Sequence, residues 1–320
     1  MWKVAGFEPS AFPDILSMLV MQEVNMGSGM EIALANALGE ITLALFTSLA
    51  PASAIAYVLM ELPLFSRSLP EESRASLNKA LSLPLVLCMV GLIASATHLG
   101  NPANALYVIM GIGRSPLSNE VSAAVAFLAC AALIWLIGFA EGRHRTLQRV
   151  LMILVIPAAL VFIGFVSFAY NVSTIITWAT PFVPASIALG AFALGPVIAS
   201  LGMHVAGCDA KSSRIGWALI VVSVTAAVAL FAVYTLQMGA LSQVSNYLYS
   251  VRDIAPEYGW LLVAYAVLAV AASVVHVLSF RSGVGHPFVL RLTASILMLL
   301  ALFAMRFAFY LLHLTVGLGV

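Results

Sequence analysis

The sequence predicts an all-α, polytopic integral membrane protein, a bundle of eight transmembrane helices, and three observations support this fold class. Hydrophobic residues make up 62% of the 320-residue chain, and charged residues only 8%. The mean hydropathy is +1.07. Apolar runs of about twenty residues recur along the chain, and each is long enough to cross roughly 30 Å of hydrocarbon as a helix. Little of the chain is left for a soluble domain.

The eight apolar runs are separated by short, more polar connections. They are predicted at 36–63, 80–99, 119–140, 150–171, 182–205, 215–238, 259–280 and 292–315. Pro84, Pro157 and Pro196 fall inside these runs. Prolines are tolerated in transmembrane helices when neighbouring groups satisfy the freed backbone carbonyls. The sequence therefore predicts a single membrane anchor domain, residues 30–320.

Residues 1–29 form a separate N-terminal extension in this interpretation. The stretch is mildly apolar but lacks a basic n-region followed by a cleavage site, so we do not predict a signal peptide. Two interpretations stay open. The extension is either a helix in the membrane interface, or the product of a start site upstream of Met26, which would then open the natural chain.

Lysine and arginine residues are distributed unequally between the two sets of connections. Ten of them fall on one side of the predicted membrane: Arg67, Arg74, Lys79, Arg143, Arg145, Arg149, Lys211, Arg214, Arg281 and Arg291. The opposite side holds Lys3, Arg114 and Arg252. Basic residues accumulate on the cytoplasmic side of membrane proteins. The distribution therefore predicts that both termini lie on the non-cytoplasmic side.

Charge and cysteine content restrict the partners and cofactors of the protein. The net charge is only +1 and no basic run is present, so nucleic acid is excluded as a partner. Cys88, Cys130 and Cys208 are far apart and form no C-x-x-C pair. They cannot hold an iron–sulfur cluster together, and any such cluster must belong to another subunit.

The most polar stretch between two apolar runs is 97–121, with His98 near one end and Glu120 near the other. Ionisable groups at membrane depth are costly and usually functional. A protonatable pair that frames a connection rich in Gly, Pro and Asn is therefore the leading candidate site. The alternative is structural: Glu120 would favour a helix start, and His98 would lie in the membrane interface.

Further ionisable groups are predicted on the same outer side. Arg306, Tyr310 and His313 are spaced four and three residues apart, which predicts one shared helix face. An arginine within a span needs a counter-charge or water, and Glu40 and Glu120 are the available acids. Alternatively, Arg306 extends to the outer head groups.

Two connections complete the predicted outer surface. After the fourth run, Tyr170 and Asn171 open an uncharged connection in which Trp178 is expected to join the interfacial aromatic belt. Asn101 and Pro102 can begin a short helix over 102–110, which is either a lid over the site or an ordinary connection. Ser118 is expected to cap the third run, with Glu120 in its first turn.

The histidines open a rival hypothesis. His98 with His313 on the outer side, and His204 with His276 on the inner side, could ligate two haems. Each helix carries one histidine, however, and His276 is expected to be a hydrogen-bonded interior group. A transporter is the third hypothesis, but it predicts repeated, broken helices. We find no internal repeat, and the ionisable groups are predicted to crowd one edge.

Several motifs carry a resemblance to a known family. They are HLGNP at 98–102, SPLSNE at 115–120, the pairs Tyr170-Asn171 and Thr177-Trp178, and RFAFYLLHLTVG at 306–317. With the spacing between His98 and Glu120, these motifs resemble the membrane anchor subunit of the dimethyl sulfoxide reductase family. The likeness extends from about Met26 to the C-terminus.

The resemblance implies a multi-pass anchor in the bacterial cytoplasmic membrane, with no haem or iron–sulfur cluster of its own. Such an anchor oxidises menaquinol in anaerobic respiration and passes electrons to an iron–sulfur electron-transfer subunit and a molybdopterin catalytic subunit. The terminal reduction takes place elsewhere. The resemblance assigns the quinol site to His98 and Glu120. Independently of the resemblance, the shared helix face adds Arg306, Tyr310 and His313 as possible support for the quinol pocket, and Asn171, Tyr170 and Glu40 are further candidates on the same outer side.

The chemistry of quinol oxidation suits these residue types. It releases two electrons and two protons, so the site needs bases near the hydroxyls. Histidine has an unperturbed pKa of about 6.5, and a carboxyl partly buried at a membrane edge can have its pKa raised toward that range. Our hypothesis is that His98 accepts a hydrogen bond from one hydroxyl while Glu120 takes up and passes on a proton.

Overall fold

The computed structural model describes residues 29–66, 68–97, 108, 110–140, 144–208, 214–246, 249–281 and 285–315. Within these ranges, eight helical stretches are long and apolar enough to cross a membrane, which confirms the predicted fold class. Residues 1–28 of the N-terminal extension lie outside the described residues, as do parts of several connections. The orientation of the termini relative to the cytoplasm stays a prediction.

The helices follow one another with short connections. A first helix, α1 (Gly29–Gly39), precedes the spans. The spans are built from α2 (Ile41–Glu61) with a 3₁₀ turn (Leu62–Phe65), α3 (Glu71–Ala80) with α4 (Ser82–Ala96), α5 (Pro116–Ile137), α6 (Arg145–Ala169), α7 (Phe182–Val205), α8 (Arg214–Leu241), α10 (Tyr258–Leu278) and α11 (Pro287–Leu311). A short helix, α9 (Val251–Ile254), precedes α10.

Two helix boundaries correct the sequence analysis. The last span begins at Pro287 rather than 292, because proline is favoured at the first helical position. Arg291 therefore lies inside a helix, where it is buried, and not in a connection. At its other end α11 stops at Leu311. His313 consequently lies beyond the helix and does not continue the face that carries Arg306 and Tyr310.

Helices α2 and α7 form the centre of the bundle, and most residues of both are buried. Small residues allow their backbones to approach closely, as is common between transmembrane helices. A Cβ atom added at Gly195 of α7 would lie 2.7 Å from the Ile55 side chain and 2.8 Å from the Ala52 carbonyl oxygen of α2. Gly91 of α4 packs against Ala50 of α2 in the same manner.

Alternating helix directions gather the site candidates at one end of the bundle, which we call the Glu120 end. The start of α2, the end of α6 and the end of α11 all lie there. The connection after α6 is fastened to the C-terminal segment by a backbone bridge between Ile175 and Thr315. The side chain of Thr177 donates a hydrogen bond to the carbonyl oxygen of Leu312. These contacts close the Glu120 end over α11.

The opposite end, which we call the Glu61 end, also contains buried ionisable side chains. Glu61, His276 and Arg291 are at most 1% exposed. His276 hydrogen-bonds through Nε2 to Ser200 Oγ at 3.1 Å, which confirms its predicted interior role. The expectation that ionisable groups crowd a single edge is therefore wrong. The burial of these side chains at the Glu61 end could not be read from their positions in the sequence.

Candidate functional site

A cavity of about 420 Å³ opens at the Glu120 end between α2, α4, α5 and the end of α6. Its wall is mainly apolar and contains three polar residues, Ser95, Glu120 and Tyr170. The remaining lining residues are Leu43, Leu92, Ala96, Val108, Leu117, Val121, Ala124, Val125 and Ala169. A volume in this range, with few polar groups, is typical of sites for small organic ligands.

Part of the cavity wall consists of exposed apolar side chains. Leu117 is 42% exposed and Val125 is 61% exposed, and both side chains belong to the outer surface of the bundle. Glu120, by contrast, is only 3% exposed. The carboxyl group is therefore buried beside an apolar cavity whose wall is exposed in part.

The turn before α5 fixes the position of Glu120. Ser115 is the N-cap, its hydroxyl accepts a hydrogen bond from the Ser118 amide, and Pro116 follows at N1. Gly113 has a φ of +80°, a left-handed conformation favoured by glycine, and its amide donates to Asn119 Oδ1 at 2.6 Å. The prediction that Ser118 caps this helix is wrong by three residues.

The corrected cap changes the electrostatic argument for Glu120. Because the helix begins three residues earlier, Glu120 lies in its second turn, and no acidic residue occupies the first. The influence of the helix dipole falls off within that first turn. The surroundings of Glu120 are therefore set mainly by the cavity wall. Leu117, Val121 and Ala124 recur beside it at helical spacing on the same face of α5.

Tyr170, directly after α6, is the second polar group of the cavity wall. Burial raises the pKa of Tyr170 well above its ordinary value, and the nearby Tyr310 and Glu120 side chains raise it further. The phenol therefore stays protonated at neutral pH and can donate a hydrogen bond. Among the predicted supporting residues, Tyr170 is the one that shares the cavity with Glu120.

Tyr310 connects the cavity wall to the start of α2. Its ring meets the Tyr170 ring edge-on, with centroids 6.4 Å apart. The Tyr310 side chain is 1% exposed, and its hydroxyl group lies within electrostatic range of Glu40 and Thr47. Glu40 occupies the N-cap position of α2 and is partly buried. The structure thus brings Glu120, Tyr170, Tyr310 and Glu40 into one neighbourhood.

Arg306 lies one turn deeper than Tyr310 on α11 and is only 3% exposed. The alternative in which it extends to the head groups is therefore wrong. Its Nη2 donates to Ser186 Oγ at 2.8 Å, and its guanidinium carbon lies 5.9 Å from the centre of the Phe309 ring. The hydroxyl group of Tyr234 is also nearby. Hydroxyl and aromatic groups surround the charge, and no described carboxylate forms an ion pair with it.

Two predicted supporting residues do not line the cavity. Asn171 is exposed, and its amide donates to the Thr180 carbonyl oxygen at 3.5 Å, within the same connection. His313 is half-buried against Trp178, with ring centroids 5.1 Å apart. Partial burial lowers the pKa of His313, so its ring is neutral at pH 7. Both residues belong to the segments that close the Glu120 end over α11.

Trp178 was expected in the interfacial belt, and this expectation is wrong. The side chain is 9% exposed, stacks on Phe309 at 4.3 Å, and donates from Nε1 to the Phe309 carbonyl oxygen at 3.1 Å. It fastens the connection after α6 to the end of α11. The sequence could not distinguish this role from a belt position, because both place tryptophan at a helix end.

His98 lies outside the described residues, so its distance from Glu120 stays a prediction. Ser95 and Ala96, which precede it closely in the sequence, line the cavity. Of the predicted short helix over 102–110, the structure describes Val108 and Met110, and Val108 also lines the cavity. Sequence reasoning did not select Ser95, and it selected Val108 only as part of the possible lid over 102–110. Their proximity to His98 in sequence was the available signal.

Comparison with known proteins assigns the family. The family model described as "DMSO reductase anchor subunit (DmsC)" matches residues 34–312. The protein belongs to this family. The match covers every span that the structure describes. Membership confirms the resemblance drawn from the motifs and makes the protein a membrane anchor subunit.

Three curated relatives show the extent of the similarity. The C subunit of the anaerobic dimethyl sulfoxide reductase of Escherichia coli K12 is 28% identical over 283 residues, 88% of this protein and 97% of the relative. The YnfH subunit of an anaerobic dimethyl sulfoxide reductase from the same organism is 27% identical over 186 residues, 58% of this protein and 64% of the relative. The C subunit of the Haemophilus influenzae enzyme is 30% identical over 139 residues, 43% of this protein and 50% of the relative.

Proposed function

We propose that this anchor subunit oxidises menaquinol in the cavity at the Glu120 end and passes the electrons to an iron–sulfur partner. The observation that carries the proposal is the buried Glu120 carboxyl group in the wall of an apolar cavity that is lined in part by exposed side chains of the transmembrane bundle. A quinol is a lipid-soluble reductant whose oxidation requires removal of protons. A protonatable group at the end of an apolar passage meets both requirements.

Each polar group of the cavity has a role in this proposal. Glu120 takes a proton from one quinol hydroxyl, while Tyr170, as a neutral phenol, hydrogen-bonds a ring oxygen and orients the ring. His98 accepts a hydrogen bond from the second hydroxyl, as the sequence analysis predicts. The apolar wall excludes water from the ring, which strengthens these polar contacts.

The names of the relatives support the choice of partners. Those relatives are subunits of anaerobic dimethyl sulfoxide reductases. By analogy, the electrons from menaquinol pass through an iron–sulfur electron-transfer subunit to a molybdopterin catalytic subunit in the bacterial inner membrane. We place the docking face at the Glu120 end, because a short path from the quinol to the first cluster favours rapid electron transfer. The charge distribution predicts that this end is extracytoplasmic.

The environment of His276 disfavours the haem-bearing alternative at the Glu61 end. Its ring is completely buried, and Nε2 is engaged by Ser200 Oγ. The ring also meets Phe280 edge-on at 5.5 Å. A haem iron could reach this nitrogen only if the packing of α7, α10 and the following turn were rebuilt.

The proposal is tested with the complete complex carrying Glu120→Gln or His98→Ala. Glutamine keeps the size of the side chain but cannot accept the proton, so quinol-dependent substrate reduction should fall by roughly a factor of 100 or more. A water-soluble reduced dye that delivers electrons directly to the partner subunits should support unchanged turnover. The measurement compares both donors in the same preparation.

Glu257→Gln is the matched control, because Glu257 is an exposed carboxylate at the same end and does not line the cavity. It should keep both activities. If Glu120→Gln retained quinol-dependent turnover within about twofold of the wild type, Glu120 would be removed from the site. An equal loss of turnover with both donors would instead indicate that the Glu120→Gln complex fails to assemble. Glu120→Asp in the same assay would then decide between failed assembly and a direct role of the carboxyl group.

A further inference from the structure

Glu120 needs a route by which its proton reaches water. The carboxyl group is 3% exposed, and nine of the twelve residues that line its cavity are apolar. A proton does not cross an apolar wall readily, because apolar groups solvate no charged carrier. If Glu120 takes a proton in each turnover, polar groups behind the cavity must conduct it away.

Three described polar side chains behind the cavity form a series of neighbours, in which the buried hydroxyl of Tyr310 makes no direct hydrogen bond to a described residue. Tyr170 shares the cavity wall with Glu120, and its phenol interacts electrostatically with that carboxyl group. The next group is Tyr310, whose ring lies edge-on to Tyr170 at 6.4 Å and whose hydroxyl group interacts with that of Tyr170. Phenol hydroxyls both donate and accept hydrogen bonds, so each can pass a proton on while remaining neutral.

Glu40 ends the series. It interacts electrostatically with both tyrosines and stands at the N-cap position of α2, at the end of the bundle. Unlike Glu120, its side chain is only partly buried. A carboxylate in this position can receive a proton from the protein interior and release it to solvent.

We propose that Tyr170, Tyr310 and Glu40 form a relay that carries the quinol proton from the cavity to the surface of the Glu120 end. This inference rests on the proposed quinol oxidation. It assigns a function to three side chains that were expected only to support the pocket. It also gives a role to the deeply buried hydroxyl of Tyr310, which lies near the Glu40 carboxyl group.

Each transfer in the relay conserves protons. The Glu120 carboxylate takes a proton from a quinol oxygen, so that one O–H bond breaks and another forms. This proton passes to the Tyr170 oxygen as Tyr170 gives its own to Tyr310, which in turn gives its proton to Glu40. Release to water restores the Glu40 carboxylate. The two electrons go to the iron–sulfur partner of the proposed function, and the second proton is assigned to His98.

Arg306 gives the relay its direction. Its guanidinium group lies beside Tyr310 on α11, and a guanidinium group donates hydrogen bonds but has no acceptor site. Its positive charge also raises the energy of any cation that moves further toward α8 and α10. A proton that reaches Tyr310 therefore continues to Glu40 and does not enter the centre of the bundle.

The test uses the complete complex with a reduced naphthoquinol as donor and the variants Glu40→Gln and Tyr310→Phe. Each should lower kcat by at least about tenfold while leaving KM nearly unchanged, because the relay acts after the quinol has bound. The solvent deuterium isotope effect on kcat should increase, since proton exit becomes rate-limiting. The double variant should be no slower than the slower single variant, because both residues serve one route.

Three controls separate the relay from a structural role. Turnover with the water-soluble reduced dye should be unchanged in both variants, Glu40→Asp should recover a large part of kcat, and Glu257→Gln should behave as the wild type. If both relay variants keep kcat and the isotope effect while Glu120→Gln abolishes quinol oxidation, the relay is wrong and the quinol site stands. If Glu120→Gln itself keeps full turnover, the quinol site as proposed is wrong.

Discussion

The contact between α2 and α7 at Gly195 provides a stability prediction with a magnitude. Gly195→Ala adds one methyl group where the Ile55 side chain lies 2.7 Å away and the Ala52 carbonyl oxygen 2.8 Å away. Distances below 3.0 Å are not tolerated by real Cβ atoms, and one of these neighbours is backbone. The two central helices must therefore move apart.

Two opposing terms set the size of the effect. Overpacking a well-packed core costs about 1–3 kcal/mol, and the backbone contact places Gly195→Ala in the upper half of that range. Alanine in place of glycine within a helix stabilises the helix by about 1 kcal/mol. The net loss in the free energy of unfolding should be about 1–2 kcal/mol.

Gly164→Ala is the matched control, because the added methyl group on α6 meets no atom within 4 Å. It should leave stability unchanged or raise it by up to about 1 kcal/mol. The assay is reversible unfolding of the purified anchor in mixed micelles with increasing SDS, followed by circular dichroism. Equal unfolding free energies for the two variants would refute the close approach of α2 and α7 at Gly195.

The remaining predictions concern Glu61 and His313. Glu61→Leu should raise the unfolding free energy by about 1–3 kcal/mol. The reason is that neither oxygen of this fully buried carboxyl group has a hydrogen-bond partner among the described residues. A decrease in the unfolding free energy in the same micelle assay would contradict this account. His313→Asn should weaken the acid sensitivity of the protein. Because the pKa of His313 is lowered in the folded state, the unfolded protein binds the proton more tightly, and stability is lost as the pH falls below about 6.5. Parallel stability curves for variant and wild type between about pH 7.5 and pH 5 would show that His313 makes no contribution.

Sequence reasoning succeeded for properties that depend on short segments. The fifth predicted run, 182–205, coincides with α7, and the ends of the other runs differ from the spans by at most five residues, except that the second span begins at Glu71 instead of 80. The larger shifts have local causes. Helix α6 begins at Arg145 instead of 150, because a helix can extend beyond the hydrocarbon with polar residues in its first turns. Pro287 likewise moves the start of α11 forward.

The candidate site was predicted only in part. Glu120 was selected because it is a rare acid beside an apolar run, and the structure places it in the wall of a cavity. Tyr170 shares that cavity, whereas Asn171, its neighbour in sequence, faces outward. One residue decides between the two environments, because the helix ends at this point and the backbone turns away from the cavity.

The class of the molecule and the number of its spans could be predicted from composition and segment length, because the free energy of placing a segment in hydrocarbon depends on that segment's own length and composition. The pairs of polar side chains that meet depend instead on how the helices pack. Tyr310 lies near Tyr170 and Glu40, and Arg306 contacts Ser186. These contacts require a particular rotation and spacing of the helices, which close packing at small residues of α2 and α7 helps to set. Such contacts join residues more than a hundred positions apart, and no periodicity within one segment encodes them.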